Sequence, residues 1–254
     1  MNEQTIIERV IADNPQLHWA SDAVADHLSK LYGRAFKAGP ISHAVPPVIL
    51  RYLAGIVRSD HLTIETGSGQ TTVALAALAR HHVCISPDTE SVELIKQYMD
   101  RVGISRDKVR FVVEGSDTAL PRLALSEQVN VAFIDGCHGY PFPAMDWHFI
   151  DLHTKIGGIV GIDNTEIPAV QNHCQFLEQN KTYRLLDSIS DKAYSANYGA
   201  SFYVKLKEDG RSPSGTTSRD AHGQLFNHRR VKKRSVSEIL QAIARPKPKA
   251  NPWD

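Results

Sequence analysis

Apolar positions in the first 60 residues recur at helical spacing. Ile6, Ile7, Val10 and Ile11 form one face, and Val24, Leu28 and Leu31 form a second. Pro46-Pro47 opens a third run, whose positions Ile49, Leu50, Leu53, Ile56 and Val57 suit a buried helix face. At residue 61 the rhythm changes. Short apolar runs (His61–Glu65, Val83–Ser86, Val109–Val113, Val129–Asp135 and Ile159–Asp163) alternate with amphipathic stretches such as Thr71–Arg80, Thr89–Val102 and Pro143–Lys155. Strand-sized runs between helix-sized ones predict parallel βαβ units in a doubly wound α/β sheet. A further helix is expected over Pro168–Gln179, then strands over Tyr183–Ser188 and Ala200–Lys205. The link between those two strands is too short for a crossover helix, so they are expected to pair antiparallel at one edge.

Charge then separates the body from its tail. The chain has 254 residues, 42% of them apolar, and a formal net charge of +1. That is enough for one large α/β domain with additions, and it suggests neither a nucleic-acid binder nor an acidic disordered chain. From Lys207 onward, however, eleven Lys/Arg face five Asp/Glu, which leaves residues 1–206 with 18 against 23. The expected division is an N-terminal helical segment over 1–60, the main domain over 61–206 and a basic, largely disordered tail over 207–254. In the tail, EDGRSPSGTTSRDAHG reads as linker, and Ser235 and Glu238 have capping-box spacing for a short helix. The run His228-Arg229-Arg230-Val231-Lys232-Lys233-Arg234 has the charge to meet RNA, anionic lipid or an acidic partner. It has no interleaved aromatics, so it is read as a solvated tail and nucleic acid is not the expected partner.

Cys84, Cys137 and Cys174 are odd in number, widely spaced and without a CxxC pattern, which suits a reduced, cytoplasmic protein. The start, MNEQTIIERVIADN, lacks the apolar core of a signal peptide. No window approaches the roughly 18–20 apolar residues that span a bilayer.

The densest chemistry is Glu65-Thr66-Gly67-Ser68-Gly69-Gln70-Thr71-Thr72, which follows a strand and opens a helix. Glycines there let the backbone turn sharply and approach a ligand, and ligands of open α/β sheets bind at the carboxyl ends of strands. A dinucleotide fingerprint would place a third glycine at Thr72, and a P-loop would need a lysine; both are missing. Glu65 would repel a pyrophosphate but suits a cationic ligand.

ETGSGQTT resembles motif I of the class I S-adenosylmethionine-dependent methyltransferases. The resemblance implies a Rossmann-like, mostly parallel seven-stranded sheet with an antiparallel edge hairpin and an N-terminal helical addition. It implies cofactor contacts at Glu65, Thr66, Gly67, Ser68, Gly69 and Thr71. The family's ribose-binding acid follows the second strand, where this chain has Ser86, with Asp88 two residues on; Asp88 is equally suited to cap the next helix. Gly115, Ser116 and Asp117 occupy the loop that often meets adenine, and N-capping is their rival role.

Two further clusters end the fourth and fifth strand candidates: Asp135-Gly136-Cys137-His138-Gly139-Tyr140, and Asp163-Asn164. Charges at the ends of buried strands need a partner. Asp135, Asp163 and Asn164 offer oxygen ligands, which suit Mg²⁺, Mn²⁺ or Ca²⁺. The arrangement resembles cation-dependent small-molecule O-methyltransferases of the catechol and caffeoyl-coenzyme-A type. IDGCHGYPFPAMDW is similar to bacterial sugar and macrolide O-methyltransferases. The resemblance spans roughly residues 45–205.

It implies methyl transfer to a small hydroxylated acceptor, either at a metal-binding site, where His138 is the natural general base, or with Asp135 simply facing the methyl donor. A histidine that merely packs in its loop, and an Asn164 that caps a helix, remain open. Asp146 and Trp147 either shape the acceptor pocket or are a surface acid and a core aromatic. Other open readings are methylation of a macromolecule, a nicotinamide-dependent oxidoreductase, and a non-catalytic binding module. The N-terminal helices offer contacts for a homodimer.

Overall fold

The computed structural model describes residues 3–33, 35–42, 44–179, 182–193 and 198–208. The expected linker, the helix at Ser235 and the basic run lie outside the described residues.

Three helices precede the sheet: α1 (Glu3–Asp13), α2 (Asp22–Tyr32) and α3 (Pro47–Ile56). Ile6, Ile7 and Val10 of α1 and Ile49, Leu50 and Leu53 of α3 are buried at the expected spacing. In α2 the face differs from expectation. Leu28 is buried as expected, but Val24 is exposed and Ala25 is buried in its stead. Two three-residue strands, β1 (His18–Ala20) and β2 (Gly39–Ile41), pair antiparallel among these helices. Strands this short carry too few residues for a period of two to show in the sequence, which had suggested helix alone.

Five parallel strands follow: β3 (Leu62–Thr66), β4 (His81–Ile85), β5 (Val109–Val112), β6 (Val129–Ile134) and β7 (Thr154–Ile162). They alternate with α4 (Gln70–Leu78), α5 (Thr89–Val102), α6 (Ser116–Ala119) and α7 (Phe142–His153). Then come α8 (Pro168–Gln179), β8 (Tyr183–Ser190) and β9 (Gly199–Lys205). The sheet order is β5-β4-β3-β6-β7-β9-β8. The last two strands pair antiparallel, as expected, but β9 also inserts beside β7 and leaves β8 at the edge.

Both faces of the sheet are covered. Helices α1, α3, α4 and α5 build one apolar layer, with Ile49, Leu75, Ile95, Phe133 and Phe202 at its centre. Helices α6, α7 and α8 build the other, around Ile64, Ile134, Trp147, Ile162 and Tyr203. Every residue of α4 is buried, which explains why its run Val73–Leu78 is apolar all round rather than amphipathic. Lys205, 1% exposed, donates to the carbonyls of Asp151 and Thr154 and lies 3.3 Å from Asp151 Oδ1, tying β9 to the end of α7. The chain winds outward from β3 to β5, then restarts on the other side of β3 at β6. The carboxyl ends of β3 and β6 therefore diverge at a topological switch point, where such sheets bind ligands.

His173 on α8 packs against Trp147 and Phe176, is 5% exposed, and has no hydrogen-bond partner at Nε2 among the described residues. Burial lowers its pKa to about 4. The unfolded chain, titrating near pH 6.5, binds that proton more readily. The full contribution of neutral His173 is therefore present above about pH 6.5 and is lost as pH falls toward about 4, at a cost of roughly 3 kcal/mol. Urea unfolding at pH 7 and pH 5 is expected to show this loss in the wild type and a smaller one in His173→Phe. Equal losses would place the acid sensitivity elsewhere.

Candidate active site

A cavity of about 720 Å³ opens at this switch point. Its walls come from the ends of β3 to β7 and from the N-terminal segment, through His18, Ala44 and Val45. Hydrogen bonds run past the strand ends and fix these loops to one another. Gly67 N–H donates to Ile85 O (2.9 Å), Asp135 N–H to Thr66 O (3.0 Å), and Asp163 N–H to Ile134 O (3.0 Å).

The glycine loop crosses the cavity floor. Gly67 has φ +90°, and a Cβ there would collide with the Asp135 carbonyl and lie 3.3 Å from Gly136 N. Only glycine allows both this conformation and this approach. A Cβ at Gly69 would lie 2.8 Å from His18 Nε2, so the loop is pressed from the N-terminal side as well. Above it, Ser68 Oγ donates to Ser86 Oγ (3.0 Å).

Eight of the expected cofactor residues line the cavity: Thr66, Gly67, Ser68, Ser86, Asp88, Gly115, Ser116 and Asp135. Glu65, Gly69 and Thr71 do not. Glu65 is fully buried beneath the loop, and Thr71 lies in α4. Asp88 combines both roles considered for it. It lines the cavity and caps α5, accepting from Ser91 N–H (3.0 Å) and from the Ser91 hydroxyl. At the next loop the capping position falls to Gly115, which leaves Ser116 and Asp117 on the cavity wall.

Asp135, His138, Asp163 and Asn164 line the same cavity from the ends of β6 and β7. Asp135, His138 and Asp163 each bring a ligand atom within 4.8 Å of the others. His138 Nε2 lies 3.5 Å from Asp135 Oδ1, and no described group hydrogen-bonds to it. Burial, and then the Asp135 charge, push the Asp163 carboxyl well above the usual range; the Tyr198 hydroxyl, which donates to Oδ1, partly offsets this. Asn164 sits at φ +54°, and its amide donates to Glu166 (3.1 Å), which leaves its carbonyl oxygen for other partners.

Sequence reasoning missed His18, Tyr198 and Phe142 as lining residues. No spacing marks them, because they arrive from β1, the approach to β9 and the start of α7. Asp146 is not the surface acid considered above. It is fully buried behind Gly136, where a Cβ would lie 3.3 Å from its Oδ2, and burial raises its pKa. Trp147 packs in the core with His173, Phe176 and Tyr183, away from the cavity.

Comparison with known proteins bears on the domain and its fold. Residues 64–165 match a family model described as a methyltransferase domain. Structures of similar fold include TomG, an O-methyltransferase from Streptomyces achromogenes involved in tomaymycin synthesis, in complex with S-adenosylmethionine (16% identity, 82% of this chain and 100% of that one, TM-score 0.57). They also include an O-methyltransferase from Bacillus cereus in complex with S-adenosylhomocysteine (14%, 80% and 91%, 0.58) and an rRNA methylase from Streptococcus thermophilus (16%, 65% and 99%, 0.53). No curated protein sequence matches significantly. At these identities the structures speak for the fold, and the family model speaks for the domain. Residues 64–165 therefore match a methyltransferase domain, and the chain shares its fold with structures that hold S-adenosylmethionine or S-adenosylhomocysteine. No helix among the described residues is long and apolar enough to cross a membrane.

Gly67→Ala is expected to weaken S-adenosylhomocysteine binding by about tenfold or more, because the loop must move off the Asp135 carbonyl. Calorimetry on a variant that still melts cooperatively checks this. Unchanged affinity would remove the loop from the binding site.

Proposed function

We propose that the enzyme methylates a hydroxyl of a small acceptor and that a divalent cation assists. The observation that carries this reading is the convergence of Asp135, His138 and Asp163 on the wall of the cavity that the glycine loop also lines.

The lining fits S-adenosylmethionine. Gly67 lets the loop pack on the Asp135 carbonyl while it lines the cavity, and the neighbouring polar groups match a nucleoside. In this reading the loop 66–69 takes the methionine end, Ser86 and Asp88 the ribose hydroxyls, and Ser116 and Asp117 the adenine. When bound, the cofactor supplies an electrophilic methyl on a cationic sulfur. Nucleophilic attack on it needs an aligned, desolvated oxygen more than a large set of catalytic groups.

The chain's own residues would prepare that oxygen. His138, whose ring lines the cavity beside Asp135, would take the proton from the acceptor hydroxyl. Asp135 stands beside the ring and balances the imidazolium. Phe142 and Val45 exclude water, and His18 narrows the entry on the N-terminal side. Asp135, Asp163 and the free oxygen of Asn164 would hold Mg²⁺, Mn²⁺ or Ca²⁺; such an ion relieves the carboxylate pair and acidifies a bound hydroxyl. The likeness to TomG and to the Bacillus cereus enzyme supports oxygen as the methylated atom. A cavity of about 720 Å³ suits a small acceptor beside the cofactor.

Titration calorimetry is the test, with S-adenosylmethionine, S-adenosylhomocysteine and NADH as ligands, with and without Mg²⁺. Micromolar affinity for the first two and none for NADH is expected. Failure of both to bind would end the methyltransferase reading. For the cation, Mg²⁺ is expected to raise the melting temperature of the wild type and to leave Asp163→Asn, which has lost one carboxylate, nearly unmoved. A wild type indifferent to Mg²⁺, Mn²⁺ and Ca²⁺ would discard the metal.

A further inference from the structure

Directly beneath the glycine loop, a polar patch interrupts the apolar layer between the sheet and α4. The register of β3 and β4 sets Thr63 beside His82 and Glu65 beside Cys84, and all four are at most 1% exposed. Polar groups this dry are costly unless they satisfy one another. Here they form a chain. Thr63 Oγ1 lies 2.9 Å from His82 Nδ1, and His82 Nε2 lies 3.1 Å from Glu65 Oε1. The same Oε1 accepts from the Thr72 hydroxyl. Thr72 Oγ1 in turn accepts from Gly69 N–H at 2.9 Å. Cys84 Sγ lies 3.8 Å from Thr72 Oγ1 and 3.5 Å from the carbonyl of Gly67, to which it donates.

The carboxylate fixes the histidine tautomer, since the nitrogen facing it must carry the proton. Oε2 of Glu65 has no hydrogen-bond partner among the described residues. Glu65 is therefore held through one oxygen, which His82 and Thr72 share. Removing the His82 donor leaves the carboxylate with Thr72 as its sole strong donor, in a site with no access to water. The side chain must then shift toward other partners, and that change alters the acceptor on which the Thr72 hydroxyl, and through it Gly69, is anchored.

We infer that His82 is a positioning residue for cofactor binding, acting through Glu65 and Thr72 on the backbone of the glycine loop. The inference rests on the reading that this loop binds S-adenosylmethionine. It gives the buried Glu65 a role through the loop rather than by direct contact with the ligand.

The experiment is calorimetry with S-adenosylhomocysteine on the wild type, His82→Leu, His82→Gln, Thr72→Val and the double variant His82→Leu/Thr72→Val, with melting temperatures alongside. Glutamine keeps an N–H donor for Glu65 and an acceptor for Thr63. His82→Leu is expected to weaken binding about tenfold, His82→Gln to stay within about threefold of wild type, and Thr72→Val to match His82→Leu. The double variant should bind about as weakly as either single one, because both cut the same chain. Losses that multiply, or His82→Leu binding like wild type, would overturn the inference while leaving the cofactor reading intact. If His82→Leu does not fold, the inference stands or falls on Thr72→Val weakening binding while His82→Gln preserves it. A wild type that does not bind S-adenosylhomocysteine would instead overturn the cofactor reading, and this one with it.

Discussion

The passage of the Gly67 backbone over the Asp135 carbonyl is the contact on which the site depends. It brings the turn after β3 against the end of β6, the two strands that part at the switch point of the sheet. A wider loop would separate the glycine turn from Asp135, and with it the nucleotide side of the cavity from the side bearing His138 and Asp163. The fold pays for this closeness with a positive φ, tolerated because residue 67 is glycine. Hydrogen bonds that continue the parallel ladder beyond β3, β4 and β6 hold the turn in place from the sides. The Thr72 hydroxyl, carried on Glu65, holds it from beneath.

Electrostatics divides the cavity into two regions. Around the glycine loop, backbone groups and serine hydroxyls predominate, and the nearby carboxylate of Glu65 is buried and engaged. At the ends of β6 and β7, burial and then the crowding charge of Asp135 make Asp163 resist ionisation. Such crowding is costly in the protein alone, and a cation can relieve it. The cost falls at the ends of central strands, beside an imidazole nitrogen that makes no hydrogen bond among the described residues. Strain of this kind, concentrated in one place, is what a site of chemistry presents.

Much of this was legible in the sequence because it obeys strong local rules. The alternation of β3 to β7 with α4, α5 and α7 showed because buried parallel strands are short continuous apolar runs, while α5 carries a regular helical stripe. Gly67, Ser68 and Asp135 could be assigned from their place after strands. What did not show was long-range. His18 and Tyr198 reach the cavity from distant elements, and nothing in their neighbourhoods distinguishes them from packing residues. Glu65 was read as facing the ligand, whereas the strand's alternation turns it toward α4, into the pocket occupied by His82. Val24 was misplaced because a helix with a mixed surface offers two rival stripes, and only tertiary packing chooses between them.

A crystal structure with S-adenosylhomocysteine tests the central claim most directly, which is that the cavity between the ends of β3 and β6 is the cofactor site. The homocysteine end is expected over Gly67, the ribose beside Ser86 and Asp88, and the sulfur facing His138 and Asp135. Binding elsewhere on the molecule, with the glycine loop untouched, would contradict it.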